Sequence, residues 1–311
     1  RRGAAGLRGR SIDVGLTGAT GHLGSRLLAL LLEDPAVATI RSVARRPLAT
    51  EHPKLVHTQA DLREDTAREA LAAVDVLFHL GFALWRGPDT AHANWDGTRN
   101  VLAARPARVV LASSAAVYGA WPDNPLPIGE DHWPRPNRQC AYATDKLRAE
   151  RLCVSTTPTL VLRIGAVLGP HADPAVAQAV KGYRLVVPAF RGKNEALQFL
   201  DEDDAAAALH LAGASTATGV VNIAPADWLN ATGVAKVAGS HVVRLPARLL
   251  LAGSEVAFRL HQTPFGADRA ILINGPLALD PAKAAKILGW NAKKTSSEVL
   301  AAALRHERRA S

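Results

Sequence analysis

The sequence predicts an α/β protein: a Rossmann-like doubly wound parallel sheet with a smaller, mostly helical C-terminal substrate cap. Three observations lead to this fold class. Short apolar segments alternate with helix-length segments through the first half of the chain. A turn containing Gly18, Gly21 and Gly24 follows the first apolar segment, and the alternation stops after Pro170. Neighbouring parallel strands need crossover connections, which the intervening helices would supply.

Strands are expected where short apolar or β-branched segments lie between turn residues. A leucine-rich helix follows the first strand, and a helix rich in alanine and glutamate begins near Arg63. Two longer helices are expected at Thr90–Arg105 and Ala141–Val154. The predicted strands are Ile12–Thr17, Thr39–Ala44, Lys54–Gln59, Asp75–Leu80, Ala107–Ser113 and Thr159–Ile164, with one more in the segment GVVNIA.

The domain organisation is inferred from where this alternation starts and stops. Residues 11–169 would form the sheet domain, and residues 197–224, with one more helix and strand, would return to it. Residues 170–196 and 225–311 would form the cap, and residues 1–10 would be a basic tail.

The composition, with 48% hydrophobic and 21% charged residues, is that of an ordinary globular protein. No apolar run reaches the ~18 residues of a membrane span, and no signal-peptide pattern follows the basic N-terminal segment, so we expect a cytoplasmic protein without a membrane partner. Cys140 and Cys153 show neither metal-ligand spacing nor a disulfide framework. The net charge of +9 favours anionic ligands, but the basic residues are scattered, so we expect no nucleic-acid partner.

The glycine turn, LTGATGHLG, joins the first predicted strand to the first predicted helix. Glycines there permit a tight turn and let backbone N–H groups approach a pyrophosphate, whose negative charge the helix N-terminus favours. An ordinary strand-to-helix turn is the alternative interpretation. The βαβ pattern that follows favours dinucleotide binding.

Three motifs follow one another along the chain: Gly18-x-x-Gly21-x-x-Gly24, then SSAAVYG from Ser113, then Tyr142-x-x-x-Lys146. Together they resemble the extended short-chain dehydrogenase/reductases, often called the NAD-dependent epimerase/dehydratase family. The resemblance covers nearly the whole chain. It implies a nicotinamide-dependent enzyme with a small-molecule substrate, and a homodimer formed through the helices at 90–105 and 141–154. Other segments in the family's order are DLRED at Asp61, FHLGFA at Phe78, NWDGTRNVL at Asn94, LRIGAVLGP at Leu162, FLDEDDAA at Phe199 and DPAKAAKILGW at Asp280.

The resemblance also implies where the cofactor would bind. An acidic residue at the end of the second strand selects NAD, whereas an arginine pairs with the 2′-phosphate of NADP. The segment SVARRP has Arg45 and Arg46 there and no carboxylate, so NADP is the preferred cofactor and NAD the alternative. The cofactor-binding positions implied are Gly18, Gly21, His22, Leu23, Gly24, Arg45, Arg46, Asp61, Leu62, Leu80, Gly81, Ala83, Tyr142 and Lys146.

The pair Tyr142 and Lys146 accounts for the chemistry that the resemblance implies. A free tyrosine has a pKa near ~10, so it is a poor base at neutral pH. A lysine four positions on lies on the same helix face, where its charge favours the phenolate. We therefore expect Tyr142 to act as general acid and base, with Lys146 as its tuner and cofactor anchor. Ser114 matches the family's catalytic hydroxyl, whereas Ser113 is interpreted as structural and Asn94 as a support without catalytic role.

Departures from the family pattern limit the substrate. Sugar dehydratases of the family resemble one another in acidic residues after the catalytic hydroxyl, where this chain has Ala115 and Ala116, so dehydration is not expected. Nucleotide-sugar epimerases resemble one another in an asparagine and a diphosphate-binding arginine, where this chain has Ala166 and Leu197. The sequence thus favours hydride transfer between nicotinamide and a carbonyl/alcohol pair on a less anionic substrate.

The sequence is compatible with three other functions. A nucleotide-sugar epimerase would use the same tyrosine and retain its cofactor tightly. A non-catalytic dinucleotide sensor would keep the fold without needing Ser114, Tyr142 and Lys146 together. A nucleic-acid binder has only the net charge in its favour.

Overall fold

A computed structural model of the chain describes residues 11–84, 87, 89–172, 174–192, 195–260, 262–263, 266–273 and 275–310. The basic tail expected at residues 1–10 lies outside the described residues. The strands are β1 (Ile12–Thr17), β2 (Val37–Ala44), β3 (Leu55–Gln59), β4 (Val76–His79), β5 (Val109–Ser114), β6 (Thr159–Ile164), β7 (Ala166–Leu168), β8 (Val187–Phe190), β9 (Ala196–Leu197), β10 (Phe199–Asp201), β11 (Gly219–Ile223), β12 (Val242–Leu245) and β13 (Pro276–Leu277).

The helices alternate with the strands of the first half and are more frequent after β11. A short 3₁₀ helix, Ala115–Tyr118, follows β5 directly. The α-helices are α1 (His22–Glu33), α2 (Asp65–Ala70), α3 (Thr90–Ala103), α4 (Ala141–Thr156), α5 (Pro174–Gly182), α6 (Glu202–Ala214), α7 (Ala231–Ala238), α8 (Ala247–Arg259), α9 (Ala267–Ile273), α10 (Ala282–Leu288) and α11 (Ser296–Ala310).

A seven-stranded parallel sheet organises the fold, in the order β11-β6-β5-β4-β1-β2-β3. The prediction of a doubly wound parallel sheet is therefore confirmed. Strands β4 and β6 are buried along their whole length, as expected for parallel strands covered on both faces. The strand order reverses between β1 and β4, which pair with each other. In open α/β sheets, ligands bind beyond the carboxyl ends of the strands at such a reversal.

Several predicted elements differ in length from the observed ones, among them β2 and α2. Strand β2 begins at Val37, two residues before its predicted start, because Ile12 pairs with Val37 beside it. Helix α2 ends at Ala70, although the alanine-rich pattern continues to Val74. The chain leaves the helix because Ala73 adopts a left-handed conformation, with φ of 54°.

The chain divides into two compact units. One takes the described residues up to Ser113, with Asp145–Leu162 and Ala206–Val221, and the other takes the rest of the described residues. The core of the first unit includes Leu71, Leu77 and Leu111. The core of the second is formed by a cluster that includes Leu197. The domain boundaries expected from the sequence stay a prediction.

Two further findings bear on the class of protein. No helix in the described residues is long and apolar enough to cross a membrane. Both cysteines are buried and are not joined in a disulfide, and burial raises the pKa of the Cys153 thiol to about 12. Cys153 is therefore a core residue that does not ionise at neutral pH.

Candidate functional site

The glycine turn after β1 is built by close backbone contacts. Gly18 has a φ of 78°, and a Cβ there would lie 2.8 Å from the backbone nitrogen of Gly81. A Cβ on Gly24 would lie 2.0 Å from the carbonyl oxygen of Gly18, so helix α1 packs directly on the turn. Gly21 is the N-cap of α1, and half-buried His22 and Leu23 form its first turn. This glycine-rich turn at the N-terminus of a helix fits a dinucleotide pyrophosphate.

The segment after β4 lies against the glycine turn. The backbone nitrogens of Leu80 and Gly81 donate to the Thr17 hydroxyl at 3.1 and 2.9 Å. Leu62 packs against Gly81, because a Cβ at Gly81 would lie 2.9 Å from Leu62 Cδ1. The structure therefore brings together Gly81 and Leu62, which the resemblance had assigned separately to the cofactor.

Asn94 fixes the next residues of this segment. Its buried side chain accepts a hydrogen bond from the backbone nitrogen of Ala83 at 2.7 Å and donates to the Ala83 carbonyl at 3.2 Å. An amide that pairs with both polar groups of one residue holds that backbone in a single orientation. Asn94 thus supports the segment after β4, and we assign it no catalytic role.

His79, the last residue of β4, orients the Thr17 hydroxyl. Its Nδ1 lies 2.9 Å from Thr17 Oγ1 and its Nε2 lies 3.1 Å from Thr98 Oγ1. Since the Thr98 hydroxyl donates to the Asn94 carbonyl, it accepts from His79, and the donor order assigns the imidazole proton to Nε2. Burial, with a smaller contribution from the Lys146 charge, lowers the pKa of His79 to about 3. The sequence contained this residue in FHLGFA, but its spacing alone predicts no partner.

Replacing His79 is expected to change how stability depends on pH. The folded imidazole stays neutral down to about pH 3, whereas the unfolded one takes up a proton below about 6.5. The free energy of unfolding should therefore decrease as the pH is lowered from about 6.5 to about 3. His79 alone should account for up to ~1.4 kcal/mol of this decrease per pH unit. His79→Gln should remove that slope and lower the unfolding free energy at pH 7, as measured by urea unfolding at several pH values.

The control for this experiment is His92→Gln, which removes an exposed histidine on α3. In this variant the free energy of unfolding should depend on pH between 6.5 and 3 as it does in the wild type. Equal slopes in the His79→Gln and His92→Gln variants would contradict the neutral, buried state of His79.

The two arginines after β2 are exposed. Arg46 Nη2 donates to the Thr20 carbonyl of the glycine turn at 2.6 Å, which places this guanidinium beside the turn. The carbonyl of Arg45 accepts from the Gln59 side chain at 3.0 Å, so the backbone after β2 is tied to β3. Positive charge is thus present next to the turn on which a dinucleotide would lie.

Asp61 already has a cationic partner within the chain. Its carboxylate accepts from Arg63 Nε at 3.0 Å and from Arg63 Nη2 at 3.1 Å. These hydrogen bonds, together with the Arg45 charge, hold the pKa of Asp61 below its ordinary value despite partial burial. Arg63 also pairs with Asp89. The sequence pattern assigns Arg63 no role in the site, although the segment DLRED places it two residues after Asp61.

Lys146 is buried in the middle of α4. Its ammonium donates to the Ala112 carbonyl at 2.6 Å and lies 3.9 Å from the centroid of the Phe82 ring. Burial lowers the pKa of Lys146 to about 7, opposed by the nearby carboxylate of Glu150. Glu150 in turn accepts from the buried Ser113 hydroxyl. Ser113 therefore has a structural partner, as the sequence interpretation expected.

Ser114 and Tyr142 both lie in the second unit. Ser114 ends β5, and its Oγ accepts from the backbone nitrogen of Ala116 at 3.2 Å, capping the 3₁₀ helix. The same side chain interacts with the half-buried Tyr142. Burial raises the pKa of Tyr142, whereas the charge of Arg269 and the Ser114 hydrogen bond lower it. The Arg269 guanidinium lies 4.3 Å from the centroid of the Tyr142 ring, a partner that no local pattern predicts.

The arrangement of these residues suits proton exchange at a hydroxyl group. Tyr142 lies in the first turn of α4, and Lys146 follows one turn later on the same helix. Burial keeps the pKa of Tyr142 above its ordinary value, and the guanidinium and the serine reduce that increase, so they lower the cost of proton exchange at this buried phenol. The described part of the chain holds no group of three or more His, Cys, Asp or Glu side chains that would suit a metal ion.

Comparison with known proteins gives a family match and curated relatives. The sequence model of the NAD dependent epimerase/dehydratase family matches residues 14–224, which include every site residue named above except Arg269. Uncharacterized proteins of Mycobacterium tuberculosis and Mycobacterium bovis are 26% identical to this chain over 310 aligned positions. The alignments cover 91% of this chain and 81% of each relative.

Solved structures are similar over 96% of this chain. MoeE5 in complex with UDP-glucose and NAD is 25% identical, with 99% of its chain covered and a TM-score of 0.71. UDP-glucose 4-epimerase from Thermotoga maritima, with UDP-glucose, is 18% identical, with 99% covered and a TM-score of 0.73. UDP-glucuronic acid 4-epimerase from Bacillus cereus, with NAD, is 18% identical, with 99% covered and a TM-score of 0.70.

Proposed function

The chain belongs to the NAD dependent epimerase/dehydratase family, and from this we propose that it is an enzyme that moves hydride between a nicotinamide cofactor and a carbonyl/alcohol carbon of a small molecule. The observation that carries the proposal is the Arg269 guanidinium, 4.3 Å from the centroid of the Tyr142 ring, with Ser114 beside the same tyrosine. A tyrosine with these neighbours can take the proton of a substrate hydroxyl group and return it.

Tyr142, Ser114 and Lys146 would each have a separate task in this reaction. In the oxidising direction the Tyr142 phenolate oxygen takes the hydroxyl proton as the C–H hydride departs and the C–O bond becomes a carbonyl. In the reducing direction the Tyr142 hydroxyl returns that proton to the oxygen. Ser114 donates a hydrogen bond to the substrate oxygen and keeps it near the tyrosine. Lys146 binds cofactor hydroxyl groups through its ammonium.

The cofactor would be held by residues whose local structure suits it. The backbone of Gly18–Gly24 would bind the pyrophosphate, and the segment Leu80–Ala83 would contact the middle of the dinucleotide. When bound, the nicotinamide supplies the group that accepts or donates hydride. The similar structures of MoeE5 and of the Bacillus cereus epimerase contain NAD. We propose that this chain also accepts NADP, and prefers it, because Arg45 and Arg46 follow β2 where a carboxylate would select NAD.

The Arg45→Asp variant tests the cofactor preference. Removing a guanidinium and adding a carboxylate should repel a 2′-phosphate and accept bonds from a 2′-hydroxyl, so the ratio of NADPH to NADH affinity should fall at least tenfold. Nicotinamide fluorescence during titration measures both Kd values. The control is Arg248→Asp, which makes the same change at an exposed position on α8. An unchanged ratio in Arg45→Asp would show that Arg45 does not select the cofactor.

Neither dehydration nor a strongly anionic substrate is expected. Buried Ala115 and Ala116 follow Ser114, and neither can transfer the protons that elimination of water requires. Leu197 is packed in the apolar cluster of the second unit, so this position offers no charge to a diphosphate. Ala166, on β7, is exposed but lacks a polar side chain. These positions support a substrate with less anionic character than a nucleotide sugar.

Epimerisation of a nucleotide sugar is the second candidate, and the comparisons favour it. The similar solved structures include two 4-epimerases and MoeE5, which was crystallised with UDP-glucose and with UDP-glucuronic acid. An epimerase would use Tyr142 for the same proton exchange, with hydride returned to the opposite face of the sugar carbon. Its cofactor would be regenerated in each cycle and so would be retained on purification.

One experiment separates the two candidates. The purified chain is first analysed for retained nicotinamide cofactor, then incubated with UDP-glucose and UDP-glucuronic acid, and separately with NADPH and a set of ketones and aldehydes. Retained NAD and formation of the C4 epimer would establish the epimerase. Net NADPH consumption with a carbonyl compound would establish the reductase. Binding of cofactor without either reaction would contradict the proposed enzyme and favour a dinucleotide sensor.

We also propose a homodimer through helices α3 and α4. Trp95 on α3 and Val154 on α4 are large apolar side chains with 41% and 54% of their surface exposed. Burial of such side chains stabilises association. Sedimentation equilibrium of the wild type and of Trp95→Glu tests the proposal, and a monomeric wild-type chain would contradict it.

A further inference from the structure

Helix α9 presents one side chain to Tyr142 and another to the apolar cluster against which Tyr142 packs. The guanidinium carbon of Arg269 lies 4.3 Å from the centroid of the tyrosine ring. Leu272, one turn later on α9, packs with Tyr142 against a buried cluster formed by Ala116, Cys140 and Ala143. The approach of Arg269 therefore follows from the packing of a whole helix face.

Two contacts hold α9 in this position. Its first backbone nitrogen, at Ala267, donates to Glu255 Oε2 of α8 at 3.2 Å. Ala270 packs in a second apolar cluster with Phe190 and Leu250. Arg269 itself is 18% exposed, and its Nε lies 3.9 Å from an Asp268 carboxylate oxygen. A guanidinium that is packed and paired in this way has a restricted orientation over the ring.

The groups around Tyr142 differ in their effect on its ionisation. Burial raises the pKa of Tyr142 and the Cys140 thiol raises it further, whereas Arg269 and the Ser114 hydrogen bond lower it. On helix α4 itself, the Lys146 ammonium is directed to the Ala112 carbonyl and the Phe82 ring, and the Asp145 carboxyl to Asn94. Among the described contacts, Arg269 is the cation placed on the tyrosine ring.

We propose that Arg269 acts through Tyr142 as a positioning residue, whose guanidinium stabilises the phenolate while the tyrosine exchanges the substrate proton. The inference rests on the proposed function, because it assigns a partner to that proton exchange. A guanidinium is attracted to the negative face of an aromatic ring. The attraction increases when the hydroxyl loses its proton, because the ring system then carries a full negative charge. Arginine remains charged throughout the pH range in which enzymes work.

This contact has a consequence that the charge of the nicotinamide does not share. A cation supplied by the chain itself acts on Tyr142 before any cofactor binds. The effect of Arg269 on the tyrosine is therefore expected in the cofactor-free chain, where it can be measured without turnover.

The test is the titration of Tyr142 in the full chain labelled with 13Cζ-tyrosine, followed by NMR. The chain has three tyrosines, so the spectrum is simple, and Tyr142→Phe assigns the resonance. Burial raises the pKa of all three tyrosines, so the titration is extended to high pH and the assignment identifies the Tyr142 resonance. The variants are Arg269→Met, Arg269→Lys and, as a control that removes an exposed positive charge on α8, Arg248→Met.

Arg269→Met is expected to raise the measured pKa of Tyr142 by about one unit or more. Arg269→Lys should give a smaller shift, because it keeps the charge but loses the planar stacking group, and Arg248→Met should give none. The acidic limb of the kcat/KM profile should move to higher pH by the same amount in Arg269→Met. Should that variant fail to fold, Arg269→Gln provides the same loss of charge with a polar planar end.

An unchanged Tyr142 titration in a folded Arg269→Met or Arg269→Gln variant would overturn the inference. An effect of equal size in Arg248→Met would also overturn it, because the shift would then come from net charge and not from the stacked guanidinium. A shifted titration in a chain without turnover on any alcohol or carbonyl compound would contradict the proposed function and leave the Arg269 contact established.

Discussion

The Tyr142→Phe variant is expected to lose turnover by about a hundredfold to ten-thousandfold, the usual contribution of a positioned acid or base. Phenylalanine keeps the ring that packs with Leu272 and lies under Arg269, but it has no proton to exchange. Cofactor binding should remain within a few-fold of wild type, because the glycine turn and Lys146 are unaltered. Steady-state kinetics and nicotinamide fluorescence measure the two effects separately.

The matched control is Tyr183→Phe, which removes a hydroxyl from a buried tyrosine in the core cluster of the second unit. It should change stability and leave kcat within a few-fold. A Tyr142→Phe variant with nearly full turnover would exclude Tyr142 as the acid and base. Loss of cofactor affinity in that variant would instead contradict the separate tasks assigned to Tyr142 and Lys146.

Gly24→Ala is expected to have the second large effect, on cofactor binding and stability together. The new methyl group would lie 2.0 Å from the Gly18 carbonyl oxygen, a separation that requires the backbone to move. Overpacking of this kind costs about 1–3 kcal/mol. Because the shift displaces the N-terminus of α1 from the turn, we expect the Kd for NADPH or NADH to rise at least tenfold. Fluorescence titration and thermal unfolding measure these changes.

Gly253→Ala on α8 is the control for the same substitution. A Cβ there meets no atom within 4 Å, so alanine should stabilise the helix by about 0.5–1 kcal/mol and leave binding unchanged. If Gly24→Ala binds either cofactor as tightly as wild type, the glycine turn does not hold the dinucleotide.

The agreement between sequence and structure is best where the signal is local. β1 has the predicted bounds, because a short apolar segment between turn residues specifies a buried parallel strand. Gly18 adopts a left-handed backbone conformation and Gly24 has no room for a side chain. The glycine spacing within one strand–turn–helix segment indicates both features. Tyr142 and Lys146 are one helical turn apart because the spacing of four residues sets that relation wherever a helix forms.

The remaining parts of the candidate site depend on contacts between distant segments. His79 reaches Thr17 because β4 pairs with β1, and Asn94 reaches Ala83 because α3 folds back on the segment after β4. Arg63 takes the carboxylate of Asp61, an interaction that competes with the role implied by resemblance. Neither residue type nor spacing indicates such partners before the chain is folded.

The sequence indicated the class of fold, the glycine turn and the helical spacing of Tyr142 and Lys146, since backbone sterics and helical periodicity act over a few neighbouring residues. The roles of Ser114, Tyr142 and Lys146 rest on the family resemblance and stay predictions. Only the tertiary structure decided which cation lies on Tyr142. Arg269 comes from α9, beyond the range matched by the family, and reaches the ring through the packing of Leu272 and the anchoring of Ala267 by Glu255. Packing and electrostatics act through space, so a residue far away in the chain can set the ionisation of a group that the sequence had already identified.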